Sequence, residues 1–469
     1  MNQYKKMAKN TVWFAIGSFG SKIITFLMVP LYTHVLNRGE FGQVDIFNTT
    51  LSLLIPFLSL NLFSSIIRFT LDKKEDKSTI LMNTLVTTLI FYGIFYVFTS
   101  LFVSVDFFVQ YNLYFYSILI AALFAMAFSM FAKGIGKVHL FSIGGILETV
   151  TLVGFNLVFL LVLNMGVKGY FLSILLSKIM TAFFLLISCK IYKYIDFRKL
   201  SKSKLKEMLL FSLPLLPNSL NFWIMNVSDR YILSYFLGYE ATGIYSASYK
   251  IPTIITVINT IFYQAWQISA IENMNSEKRD KFYSNVFKVN MGLILIMTSG
   301  LLMILKPFMS VYVAPDYFIA YKYVPFLLIS TIFASFSSFF GIGYLTSKKT
   351  KNAFTTSIFG SMANIAINIV FIPIIGIQAA AISTLIAFFV MWVARVFQTK
   401  KYYNIKVDYL RLISSLIIIF VQTYLVISKK EYSLFLQLIL FVILLLLFIK
   451  EEKIIFKKAI NYVKNKRSK

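Results

Sequence analysis

Long apolar runs, separated by short polar and mostly basic stretches, pattern this chain from end to end. Fourteen runs reach the roughly 20 residues that a helix needs to cross a hydrocarbon core: 11–36, 42–67, 80–104, 112–132, 141–164, 169–189, 208–237, 241–268, 286–305, 321–345, 353–375, 377–398, 409–427 and 432–449. Lipid offers no partner to an open backbone, so isolated runs of this kind must fold as helices. The alternation of barrel strands is absent, and the runs are about twice too long for them. The pattern therefore predicts an all-α polytopic membrane protein with about 14 transmembrane helices.

Composition agrees and charge orients the helices. The 469 residues are 58% hydrophobic and 14% charged, against about 25% charged in a typical soluble domain. The formal net charge is +27. A basic excess can mark a nucleic-acid binder, but here the cations lie between apolar runs, which excludes that reading. Of the 46 Lys and Arg residues, 36 fall in one alternating set of loops and the adjoining helix ends, 6 in the other set and 4 within spans. That bias predicts a multi-pass protein of the cytoplasmic (inner) membrane with both termini in the cytoplasm. Lys5, Lys6 and Lys9 precede the first run, which is too long for a signal-peptide core and is followed by no small-residue cleavage site.

The chain divides by its loops and by internal similarity. The most basic loop, 190–207, follows six spans, and another basic break, 399–408, follows twelve. This predicts a six-helix lobe over 1–200, a second over 201–400, and two extra helices with a basic tail over 401–469. LNRGEFGQVD (36–45) resembles LGYEATGIYS (237–246), placing Gly42 and Gly243 at an offset of 201, each at the end of a polar turn. Asn156-Leu-Val-Phe matches Asn368-Ile-Val-Phe, and Gly166 matches Gly376 after a two-residue gap. Halves with an even number of spans enter from the same side, so the repeats are parallel, an arrangement common in transporters.

Charges inside spans cost roughly 2.5–3.5 kcal/mol at a helix centre, so they mark candidate sites. Lys22, Lys178, Arg230 and Lys250 lie within spans, with Arg68 at an inner boundary. Lys22, Arg230 and Lys250 belong to the opening hairpins of the two halves. A hydrated cavity lined by such cations suits a phosphate-bearing anion; local neutralisation or snorkelling is the plainer alternative. Asp229, Glu148 and Asp45 are the acidic candidates for coupling to a proton or sodium ion. Pro30, Pro56, Pro214, Pro217 and Pro252 fall in the same opening spans, where kinks would suit moving, substrate-lining helices. Tyr231, Tyr235, Tyr239, Tyr245 and Tyr249 crowd the seventh-to-eighth turn, most simply as an interfacial belt. Cys189 is the only cysteine and His34 and His139 the only histidines, so neither a disulfide nor a metal site is expected. There is no nucleotide loop, HExxH or GxSxG, so no cofactor, catalytic group or ATP-driven pump is expected.

Two segments carry a family resemblance. KNTVWFAIGSFGSKIITFLMVPLYTHVLNRGEFG (9–42) resembles the opening of the polysaccharide transporter family, the flippases of lipid-linked oligosaccharides and O-antigen units. SDRYILSYFLGYEATGIYSASYKIP (228–252) resembles the start of that family's second half. The broader superfamily includes multidrug extruders and the lipid II flippase. The resemblance implies a V-shaped pair of six-helix lobes that alternates between inward-open and outward-open forms. It implies an undecaprenyl-pyrophosphate-linked repeat unit as cargo, moved to the outer leaflet, with capsule, exopolysaccharide, O-antigen and teichoic-type units all open as the glycan. It places Lys22, Arg68, Asp229, Arg230 and Lys250 on or near a central cavity; Lys178 and Glu148 fall outside its motifs. Membrane lipid and polysaccharide polymerase machinery are the implied partners. An ion-coupled multidrug antiporter of the same fold is the first rival, but a cavity for organic cations would favour carboxylates. A membrane polysaccharide polymerase or ligase is disfavoured by the short external loops.

Overall fold

The computed structural model describes residues 22–72, 74–102, 110–346, 350–428 and 434–448, and every element among them is helical. The helices are α1 (Lys22–Val35), α2 (Arg38–Leu58), α3 (Leu62–Thr70), α4 (Lys77–Phe102), α5 (Asn112–Gly134), α6 (Val138–Asn156), α7 (Gly166–Ser188) and α8 (Lys202–Ser212). They continue as α9 (Leu216–Lys250), α10 (Pro252–Glu272), α11 (Arg279–Tyr312), α12 (Val324–Thr346), α13 (Thr350–Ile375), α14 (Ile377–Thr399), α15 (Tyr409–Ile427) and α16 (Leu434–Phe448). Among the described residues, twelve helical stretches are long and apolar enough to cross a membrane, and α1 and α16 are shorter apolar helices. The chain is a multi-pass membrane protein. Its exposed side chains include Val311, Leu410, Leu113 and Phe222, each more than 70% exposed, as a lipid-facing surface requires.

The chain packs as two compact units, Met1–Val227 and Ser228–Lys469. At the heart of the first, Phe47 of α2 is fully buried, stacked on Phe171 of α7 at 4.1 Å and edge-on to Phe115 of α5 at 5.4 Å. The basic loop of this unit is held down rather than trailing. Asn83 of α4 donates to the Ser201 carbonyl at 3.1 Å and accepts from its N–H at 3.2 Å. Lys204 of α8 pairs with Glu75 at 2.8 Å. In the second unit, the buried run Ala379-Ala380-Ala381 of α14 packs with Leu327 of α12 and Ile372 of α13; small residues let membrane helices approach closely. The extra hairpin docks on α11. Gln422 accepts from Ser299 at 2.8 Å, and Gln437 donates to the Gln422 carbonyl at 3.0 Å. Phe448 and Phe441 lie against Gly292 and Gly300.

Four expectations need correction. Gly42 lies inside α2, because a capping box on Asn37 and Glu40 starts that helix earlier. Gly243 likewise lies inside α9, whose break is at Gly238 with φ 80°. Asn37 and Gly238 are themselves 201 positions apart, so the repeat register survives the correction. The run 42–67 is not one helix: α2 ends at Leu58, two residues after Pro56, and Leu60 and Asn61 take positive φ values of 47° and 56° before α3 begins. The run 241–268 is interrupted at Pro252, which lacks a backbone donor, while Ile251 before it keeps helical angles of φ −65° and ψ −48°.

Candidate functional site

The two units contain comparable buried polar seams at repeat-related positions. In the first, Asn156 at the end of α6 donates to the Tyr32 hydroxyl of α1 at 3.0 Å. Tyr32 meets Tyr170 of α7 edge-on at 5.2 Å, and Asn48 of α2 donates to the Tyr170 hydroxyl at 2.9 Å. Asp45, one turn from Asn48, is buried. In the second unit, Asn368 of α13 is wholly buried, as its counterpart Asn156 is. It donates to Asn364 at 3.2 Å and accepts from Ser383 of α14 at 2.7 Å, while Ser228 of α9 donates to Asn364 at 3.1 Å. Gly166 and Gly376 each open the following helix with positive φ, 55° and 66°, a conformation glycine adopts without penalty. The two extra residues between Asn156 and Gly166 accompany a π-helical stretch, Leu157–Val162, and a left-handed Asn164; π turns commonly absorb such insertions.

The second seam carries charge. Asp229 is fully buried and Arg230 nearly so. The Asp229 carboxylate accepts from the Tyr245 hydroxyl and from Thr384 of α14 at 3.0 Å. Its other oxygen lies 3.9 Å from the Arg230 guanidinium. That guanidinium sits over the Tyr249 ring at 4.6 Å and over Tyr245 at 5.7 Å, a cation–π contact that strengthens where water is excluded. The backbone break at Gly238 brings Tyr245 and Tyr249 back to Asp229 and Arg230, and the four-residue spacing puts the two tyrosines on one face. Tyr245 is therefore a buried member of this network rather than part of an interfacial belt, whereas Tyr235 is 83% exposed. Lys250, the next residue after Tyr249, is half-buried at the end of α9.

The remaining candidates are placed within their own units. Lys22 is exposed on α1. Arg68 is exposed in the last turn of α3, where a cation complements the helix dipole. Lys178 of α7 and Glu148 of α6 form a single ion pair at 2.6 Å, so the two charges neutralise each other. Glu148→Gln is expected to cost at most about 1 kcal/mol, because both side chains are about one-third exposed. Glu148→Lys should cost more, and adding Lys178→Glu should recover the loss in thermal unfolding of the detergent-solubilised protein. Failure to recover would show that the contact does not govern either residue. Pro217 and Pro252 stand in the first turns of α9 and α10, Pro214 in a short 3-10 turn before α9, Pro30 within α1 at the start of its Val29–Val35 portion, and Pro56 just before the α2 break. Tyr245, Tyr249, Thr384, Asn364 and Ser383 are site residues that the charge pattern missed. Asn368 was visible through the repeat, and the four-residue Tyr spacing near Asp229-Arg230 was the available signal for the tyrosines.

A family model described as polysaccharide biosynthesis protein matches residues 7–267. An uncharacterized membrane protein of Methanocaldococcus jannaschii is 26% identical over 268 residues, 53% of this chain and 50% of that protein. The chain thus spans about half the length of the curated relative it matches. Among solved structures, the lipid II flippase MurJ in an inward closed conformation is similar with a TM-score of 0.73 at 16% identity, over 96% of this chain and 100% of that one. An inward-facing multidrug resistance MATE transporter of the MOP superfamily gives a TM-score of 0.65 at 13% identity, covering 84% and 98%. A MOP superfamily transporter from Pyrococcus furiosus, described by the reverse polarity of its binding pocket, gives 0.59 at 14%, covering 85% and 96%. These likenesses establish the fold that this chain shares with those structures.

Proposed function

The chain belongs to the polysaccharide biosynthesis protein family, and from that membership we propose that it is a flippase for an undecaprenyl-pyrophosphate-linked oligosaccharide. It carries the repeat unit from the inner to the outer leaflet of the cytoplasmic membrane for assembly of a surface polysaccharide. The observation that supports this most is the Arg230 guanidinium held over Tyr249, which lies on the helical arm that follows the Gly238 break. It offers a fixed cation and an aromatic ring together. An anionic, sugar-bearing headgroup uses both, since aromatic rings stack on sugar faces and guanidinium groups bind phosphate oxygens.

The headgroup cannot cross hydrocarbon alone, because its charges and hydroxyls would lose their hydrogen bonds. Lys22, Arg68, Arg230 and Lys250 supply a cationic route while the lipid tail stays in the bilayer. The six-span halves, 1–200 and 201–400, act as the moving lobes, with 401–469 as an appended hairpin and tail. The second arm of the first opening hairpin is broken after Leu58, and Pro252 removes a backbone donor from that of the second, and these two points are where the lobes bend. Asp229 is the favoured coupling group for a proton or sodium ion; Asp45 is second, and Glu148 is occupied by Lys178. Both termini face the cytoplasm, and the translocated unit passes to polymerase machinery outside.

Deletion of the gene should accumulate lipid-linked sugar on the inner leaflet, measured by its protection from an external glycan-cleaving reagent. The wild-type chain should clear it, and Lys22→Ala and Arg230→Ala should not. Full rescue by both variants, at wild-type membrane levels, would remove the cationic route. No accumulation on deletion would remove the cargo itself.

A further inference from the structure

A cleft of about 600 Å³ lies in the second unit, far along the sequence from the Asp229 seam, between the first turns of α11 and the strap that joins α14 to α15. Both walls come from loops that the charge pattern assigns to the cytoplasmic side. The strap is pinned. Tyr403 and Ile405 are buried, the Asn404 N–H donates to Asp280 at 3.1 Å, and the Lys406 N–H donates to the Ser284 hydroxyl at 2.9 Å. Alternate residues therefore point away from the core, and Asn404 and Lys406 are exposed. Across the cleft stand Lys281, Ser284, Asn285 and Lys288 of α11.

The charges around the cleft do not balance. Its carboxylates are already engaged: Asp280 accepts from Arg279 at 2.8 Å, and Asp408 takes Arg411 at 3.3 Å with Lys288 at 3.9 Å. Against those two carboxylates stand five cations, Arg279, Lys281, Lys288, Lys406 and Arg411. Lys281 and Lys406 make no ion pair among the described residues. The cleft thus combines spare positive charge with neutral amide and hydroxyl groups on a wall fixed by backbone hydrogen bonds. Its size falls within the roughly 300–1,000 Å³ of ligand pockets.

We infer that this cleft is a binding site for a phosphate-bearing anion at the cytoplasmic face, held by Lys281 and Lys406 with Asn285 and Asn404 as neutral partners. Lysine serves phosphate as a mobile point charge, and basic pockets on this side of membrane proteins take anionic headgroups. The same chemistry is offered by an anionic lipid of the adjoining leaflet and by a free phosphate compound. The site is separate from the cargo route proposed above and does not depend on it.

Native mass spectrometry of the full chain released from detergent tests this, with phosphatidylglycerol, phosphatidylcholine and inorganic pyrophosphate as probes. The wild-type chain should bind phosphatidylglycerol or pyrophosphate in preference to phosphatidylcholine. Lys281→Glu with Lys406→Glu should weaken that binding roughly tenfold or more, and Lys281→Arg with Lys406→Arg should retain it. Lys202→Glu with Lys206→Glu, an equal charge change on exposed residues of α8, should leave it intact. Binding of phosphatidylglycerol alone identifies a lipid source, binding of pyrophosphate alone a free anion, and binding of both a site that reads the phosphate itself. The inference is overturned if the wild type prefers neither anion, if the double reversal binds as the wild type does, or if the α8 control loses as much.

Discussion

Asp229→Ala is expected to lower stability by about 3–5 kcal/mol, the usual penalty for removing one partner of a buried charge pair. The carboxylate holds three helical segments at once. It faces Arg230 on its own segment, accepts from Tyr245 across the Gly238 turn, and accepts from Thr384 on α14. Without it, the guanidinium loses its counter-charge and the buried Tyr245 hydroxyl loses its carboxylate acceptor, with a desolvation cost, while Thr384 can still donate to the Ala380 carbonyl at 3.0 Å. Asp229→Asn should cost less than the alanine, since its side-chain oxygen can still accept from both hydroxyls, but it still leaves the buried Arg230 charge without its partner. Asp229→Asn combined with Arg230→Gln should recover most of the remaining loss, because removing both charges of a buried pair is often nearly neutral. Thermal unfolding in detergent ranks the three. If Asp229→Ala unfolds with the wild type, the carboxylate does not hold the seam together, and its candidacy as a coupling group would then rest on transport measurements alone.

How the sequence and the structure relate is clearest at this seam. Asp229 and Arg230 stood out because a charge in an apolar run is costly and rarely faces lipid. Tyr245 did not stand out, since a tyrosine near a helix turn reads equally as an interface anchor. Only the fold brings its hydroxyl to a carboxylate sixteen residues earlier. Both members of the Lys178–Glu148 pair were visible, but their pairing depends on the register of α6 against α7, which hydropathy does not encode. The α2 break was half legible: Pro56 removes a backbone donor, whereas the positive φ values fall on Leu60 and Asn61 rather than on a glycine. The start of α2 was legible in Asn37 and Glu40 as a capping box, a stronger signal than Gly42. The all-helical, many-span character came through because lipid imposes length and apolarity on every span at once, with twelve spans and two shorter apolar helices among the described residues. The polar seams inside the units did not, because Asn, Ser and Thr scattered through apolar runs leave little mark on hydropathy.

Gly343→Ala carries the second large expected effect, a loss of about 1–3 kcal/mol or more from overpacking. A Cβ at this position would fall inside the van der Waals envelope of the Tyr403 ring. That ring has little room to yield. It is buried, its hydroxyl donates to the Phe340 carbonyl, and it meets Tyr283 edge-on at 5.4 Å. Gly341, two residues earlier, lets the Arg395 guanidinium approach in the same way, where it donates to the Ser337 carbonyl at 2.8 Å. The two glycines let the end of α12 lie close to α14 and to the strap that follows it. Displacing Tyr403 would loosen the strap whose Asn404 and Lys406 backbone groups are tied to α11. Gly343→Ala should therefore lower the unfolding temperature and speed amide exchange across 400–408, while exchange across the Asp229 seam stays as in the wild type. Tyr403→Phe, which removes one hydrogen bond and adds no volume, should cost no more than about 0.5–1.5 kcal/mol. Should Gly343→Ala prove as stable as the wild type, the ring must move freely, and the close packing that fixes the strap would be refuted.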